Sequence, residues 1–155
     1  MASPKTYTLK KNGFTLIEIL VAMTLLAVLA GFALTVSLDS YREFTFRSQQ
    51  ELLVSLLQRA RAQAMGNVNQ APHGLHIDPG AATYTLFQGS DFFHRDQSED
   101  LVFAGNPGQS LTGLSDVVFT QLSGTTSSGS VILKDFTHPQ AIISLNNEGQ
   151  VNLQY

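Results

Sequence analysis

The chain has 155 residues, no cysteine, 12 acidic and 9 basic side chains, and a net charge of −3. The absence of cysteine excludes a disulfide, a thiolate metal site and a cysteine nucleophile. From Asp78 onward only Arg95 and Lys134 are basic against eight acids, which argues against nucleic acid as a partner, because a nucleic-acid binder carries a basic footprint.

Residues 1–9 are a polar start containing Pro4, expected to be unstructured. Lys10-Lys11-Asn12-Gly13-Phe14-Thr15-Leu16-Ile17-Glu18 follows, and then a run from Ile19 to Leu38 without Asp, Glu, Lys or Arg. At roughly 1.5 Å rise per residue, such a run is long enough to cross a bilayer core of about 30 Å as one helix. Glu18 sits at its start. An ionised acid at mid-bilayer costs about 2.5–3.5 kcal/mol and less near a helix end, so a plain anchor would gain by losing it. An ordinary secretory signal, cut near Ala30, would have an apolar core of about 7–15 residues; this run is longer and opens on an acid. A signal anchor with Glu18 at the headgroup boundary is the other plain reading. Ala27 and Gly31 have a small-xxx-small spacing that lets helices approach closely, though such composition is also routine in membrane helices.

The stretch Gly13-Phe14-Thr15-Leu16-Ile17-Glu18 with its uncharged run resembles the amino terminus of type IV pilin and type II secretion pseudopilin precursors, closely over residues 5–40 and more loosely to about 66. That resemblance implies a leader, 1–13, removed by a membrane prepilin peptidase between Gly13 and Phe14, with N-methylation of the new Phe14 amine. It implies that Glu18 meets an N-terminal amine, its own or a neighbour's, during filament assembly, since an opposite charge offsets the cost of a buried one. Without Lys5, Lys10 and Lys11 the chain would keep 9 − 3 = 6 basic residues against 12 acidic, net −6. The positive-inside tendency puts the leader on the cytoplasmic side of the inner membrane and the carboxy-terminal part on the periplasmic or extracellular side. Some minor pilins of the DNA-uptake class carry Arg near the carboxy terminus; residues 147–155 have none.

Four segments are therefore expected: the leader 1–13, a transmembrane and filament-core helix 14–38, an amphipathic continuation 39–66, and an exported β-sheet domain 67–155. In the continuation, Tyr41, Phe44, Ser48, Leu52, Leu56, Ala60 and Ala64 recur at three and four, broadened by Leu53 and Leu57, as on a helix laid against a sheet. Gly66-Asn67 and Pro72 stop it. From His73 the period becomes two. Leu75-His76-Ile77 and Thr83–Phe87 flank the turn Asp78-Pro79-Gly80 as a hairpin. A polar stretch, 88–100, leads to Leu101–Ala104, then Asp116–Leu122, a Gly/Ser/Thr loop 123–130, Val131–Leu133, Ala141–Leu145 and Gln150–Gln154, the last two joined through Asn146-Asn147-Glu148-Gly149. The expected fold is α+β: one long helix packed on an antiparallel sheet of six or seven short strands. The order helix, Ala60-Arg61-Ala62, hairpin and final Asn-Asn-Glu-Gly hairpin resembles minor pseudopilins of the H type.

Side chains for catalysis are wanting. His73 and His76 fall on opposite faces of a strand, a poor metal pair; with His94 and His138 they read as surface or edge histidines. Asp91, Asp96, Glu99 and Asp100 share a loop, yet their spacing fits no calcium loop. Ser123, Ser127, Ser128 and Ser130 lack a nucleophile-elbow pattern, and no phosphate-binding glycine loop is present. Arg59 and Arg61 are candidates to pair with a neighbouring subunit's acids, such as Asp39 or Glu43, or belong to a solvated face. Phe92 and Phe93 mark either a contact surface or a small core under the loop. The expectation is a structural subunit, a minor pilin or pseudopilin, without cofactor, metal or enzymatic activity. Its expected partners are prepilin peptidase, other subunits, the inner-membrane assembly platform and lipid. The alternative is a membrane-tethered binding module or adhesin whose loop 88–100 holds a ligand.

Overall fold

The computed structural model describes residues 13–135 and 140–154, with the backbone alone over 33–39. The chain divides into two compact units, Met1–Tyr41 and Arg42–Tyr155. Helix α1, Leu16–Met65, begins in the first and ends in the second. In the first unit every described side chain is exposed, Leu20, Met23 and Leu29 among them. Among the described residues no helix is long and apolar enough to cross a membrane; the uncharged run expected to do so extends into 33–39, outside the described side chains.

The second unit has a core of its own. Phe46, Gln50, Leu53, Leu57, Ala60 and Ala64 of α1 are buried at spacings of four and three, with Leu56 beside them. This corrects the amino-terminal end of the expected stripe. Tyr41 and Phe44 are 69% and 72% exposed, and Phe46 is inside instead. Counting back from Leu57 in steps of four and three passes through Gln50, whose polarity hides the stripe from a hydrophobicity pattern. Its Nε2 is buried without a hydrogen-bond partner among the described residues. The helix ends where Asn67 turns left-handed at φ 53°. Gly66 N–H still donates to Ala62 O, and the Ala64 carbonyl accepts from both Asn67 N–H (3.2 Å) and Leu122 N–H (2.9 Å), so a residue far along the chain helps to satisfy the helix end.

Among the described residues, eight strands form two four-stranded antiparallel sheets, where one sheet of six or seven was expected. The first has the order β3-β2-β1-β5, built from β1 (His73–Asp78), β2 (Thr83–Gln88), β3 (Leu101–Ala104) and β5 (Asp116–Phe119). The second has the order β4-β6-β7-β8, from β4 (Ser110–Gly113), β6 (Gly129–Lys134), β7 (Ala141–Leu145) and β8 (Val151–Gln154). The expected hairpin pairs Leu75 with Leu86 and Ile77 with Tyr84, so all four point to one face. Strand β4 escapes the sequence because it carries a single large apolar residue, Leu111. It is held by pairing with β6, Leu111 opposite Leu133. At its end Gly113 has φ 109°, and a Cβ there would meet the Ser130 carbonyl oxygen. Two sheets let Leu75, Tyr84 and Phe119 of the first and Leu133 and Ile143 of the second enter one core with Leu53 and Leu57.

Candidate functional site

The amino-terminal motif starts outside regular structure. Gly13, Phe14 and Thr15 are non-helical, and Leu16 is the first helical residue. The boundary has a local cause. Thr15 Oγ1 accepts from Glu18 N–H at 3.3 Å, and the Thr15 carbonyl accepts from Glu18 N–H (3.1 Å) and Ile19 N–H (3.2 Å). Thr15 is thus the N-cap, satisfying donors that a helix start leaves open. Thr15-Leu16-Ile17-Glu18 has the Thr-x-x-Glu pattern of a capping box. The cap residue Thr15 is not among the expected site residues, although the Thr-x-x-Glu spacing signals it in the sequence. Glu18 lies in the first turn, where the helix dipole favours a negative charge. Phe14 is 79% exposed, and among the described residues nothing beyond its chain neighbours stands within 4 Å of a Cβ built on Gly13. The three expected site residues, Gly13, Phe14 and Glu18, therefore sit together at one exposed helix start.

The loop 88–100 is the other candidate, and it is ordered by its own side chains. Gly89 and Arg95 form an isolated bridge. Phe92 folds back over β1 and lies 3.6 Å from the His76 ring at 11°. The Arg95 guanidinium stands 3.7 Å from the same Phe92 centroid. Groups that close to one ring centre cannot share a face, so Phe92 is held between His76 and Arg95. Phe87 meets its edge at 5.6 Å. Gly74 makes the room: a Cβ there would come within 2.5 Å of the Phe87 ring. His76 Nδ1 is 2.7 Å from Asp116 Oδ1, and Arg95 Nε is 2.8 Å from Asp100 Oδ2. Phe92 is therefore a small core beneath the loop, while its neighbour Phe93 is 88% exposed.

Three of the four acids of this loop, Asp91, Asp96 and Asp100, are engaged by partners within it. Asp91 Oδ1 accepts from the N–H groups of Phe93 and His94, each at 2.9 Å, and its carboxylate also meets the His94 ring. The contact with the His94 ring, then these N–H groups, holds the Asp91 carboxyl below the usual range. Asp96 accepts from the hydroxyl (2.6 Å) and N–H (3.0 Å) of Ser98, which lower its pKa likewise. No group of three His, Asp or Glu side chains suited to a metal occurs among the described residues. Behind the loop, Gln63, Ser98, Glu99 and Asp100 help line a cavity of about 140 Å³. Gln63 Oε1 and Asp100 Oδ1 are buried without partners among the described residues.

The remaining candidates have structural duties. His73 is buried inside β1, its Nδ1 bonded to the Ala71 carbonyl (3.1 Å), and burial lowers its pKa. His138 lies outside the described residues. Arg61 donates to the carbonyls of Gly124 and Glu148, tying α1 to two loops. It is therefore engaged within its own chain, and Glu43 is occupied by Arg47 at 2.7 Å. Arg59 stays exposed.

The family model of the prokaryotic N-terminal methylation motif matches residues 8–34. No curated relative matches the chain in sequence. Among solved structures, the type IV minor pilin FimU of Pseudomonas aeruginosa is similar at TM-score 0.57 and 15% identity, over 70% of this chain and 92% of that one. The minor pseudopilin EpsH from the Type 2 Secretion System of Vibrio cholerae is similar at TM-score 0.51 and 15% identity, over 69% and 93%. At that identity the likeness establishes the fold: a long helix on antiparallel sheets, as in minor pilins and pseudopilins.

Proposed function

We propose that this chain, which carries the prokaryotic N-terminal methylation motif on a pilin-like fold, is a structural and non-catalytic subunit of a type IV pilus or a type II secretion pseudopilus. It is made with a leader, 1–13, that prepilin peptidase removes between Gly13 and Phe14, after which the Phe14 amine is methylated. The helix 14–38 first anchors the subunit in the inner membrane, leader cytoplasmic and domain 67–155 exported. The assembly platform then moves it into a filament among related subunits. The observation that carries this reading is the motif match over 8–34, placed on an exposed helix start with an acid in its first turn.

The physics is that of an unpaired charge. Glu18 in an apolar helix is costly in lipid. A new amine at Phe14, on the same or a neighbouring subunit, offsets that cost and rewards docking in one register. Mass spectrometry of the mature protein is expected to find an N-methylated Phe14 as the first residue. Glu18→Leu is expected to insert normally and to be lost from sheared filaments; normal assembly of that variant would remove the role given to Glu18. A second reading, a tethered binding module, draws on Phe93, which a pinned loop holds almost fully exposed. It predicts instead an unprocessed amino terminus and a ligand lost with Phe93→Ser.

A further inference from the structure

We infer that Thr15 is a positioning residue for the cleavage: its cap stops α1 one residue short of Phe14 and keeps the Gly13–Phe14 peptide extended for the peptidase. This rests on the processing proposed above. Proteins that take a peptide in extended form do so through its main-chain N–H and C=O groups. A helix turns those groups inward, onto its own bonds. A helix beginning even three residues earlier would take Gly13 and Phe14 into its first turn. The next residue upstream with a capping side-chain oxygen is Asn12, so that alternative start is written in the sequence.

Three observations place the boundary at Thr15. Its hydroxyl oxygen accepts from Glu18 N–H, its carbonyl accepts the first two helical bonds, and Gly13 and Phe14 are outside the helix. Glycine at 13 adds to the effect, because it disfavours helix relative to most residues. Threonine is suited to the cap but not to the helix interior, so one side chain both begins the helix and discourages its growth upstream.

The test uses full-length chain in membranes with a prepilin peptidase, following conversion of precursor to mature form by mass. Thr15→Ser and Thr15→Asn keep a capping oxygen; Thr15→Val keeps the shape of threonine and loses it. Cleavage of the Ser and Asn variants is expected within about twofold of the parent. The Val variant is expected to be slower by about fivefold, the ratio equivalent to a lost cap of about 1 kcal/mol. The loss should fall on KM, with kcat kept, because a smaller share of the substrate is in the competent conformation. Val equal to the parent would overturn the inference. So would Asn as slow as Val, which would mean that the peptidase reads the shape of residue 15. A parent chain left uncut would instead remove the processing reading, and this inference with it.

Discussion

Leu20 and Leu25 near the start of α1 are as apolar as Leu53 and Leu57 near its end, and the contrast lies in what surrounds them. The first two are more than half exposed, while the last two have no accessible surface. The late stretch is amphipathic and finishes its folding against two sheets of its own chain. The early stretch is apolar on all sides and has no described core to enter. A helix apolar all round needs lipid or other helices around it. The same element thus has one end satisfied by its own fold and another whose surface calls for company, and the single acid Glu18 lies at that second end.

This contrast can be broken by experiment, beginning with the largest effect. Leu57→Ala is expected to lower the stability of the full chain in detergent by about 3 kcal/mol in urea denaturation. Leu25→Ala, with no core to leave a hole in, should change it by less than about 0.5 kcal/mol; equal losses would abolish the distinction. Tyr84 offers a sharper probe of the sheet core. Burial pushes its hydroxyl up to about 12 from 10, so the core holds the neutral form. Its contribution is complete below pH 10 and is lost as the pH rises from 10 toward 12, by about 2–3 kcal/mol. Tyr84→Phe should flatten that stretch of a stability–pH profile. The smallest effect separates two adjacent residues. Phe92→Ala removes the ring between His76 and Arg95 and should cost about 1–2 kcal/mol, with faster hydrogen exchange in 88–100. Phe93→Ala should stay within about 0.5 kcal/mol.

That last pair shows why part of the molecule was legible in the sequence and part was not. Phe92 and Phe93 are the same residue type in the same polar loop, and nothing local tells them apart. What separates them is His76 on β1, brought beneath Phe92 by the hairpin, with Gly74 clearing space for Phe87. Gln50 is a similar case, a polar side chain carried inside because both neighbouring turns of α1 are anchored by Phe46 and Leu53. The helix start is the opposite case. Thr15, Glu18 and the uncharged run lie within a few turns of one another, so their spacing is readable in the sequence.

By itself the sequence determined the long helix, its stop near Gly66, the hairpin across Asp78-Pro79-Gly80, most strands and the motif from Gly13 to Glu18. All of these depend on periodicity, capping and turn chemistry acting within a few residues. Only the tertiary structure decided that the strands divide into two sheets, that β4 exists, that Arg61 is spent on loop carbonyls, and which of two phenylalanines packs beneath the loop. Those outcomes depend on contacts between residues far apart in the chain, where space and unsatisfied hydrogen bonds, rather than local preference, select the arrangement.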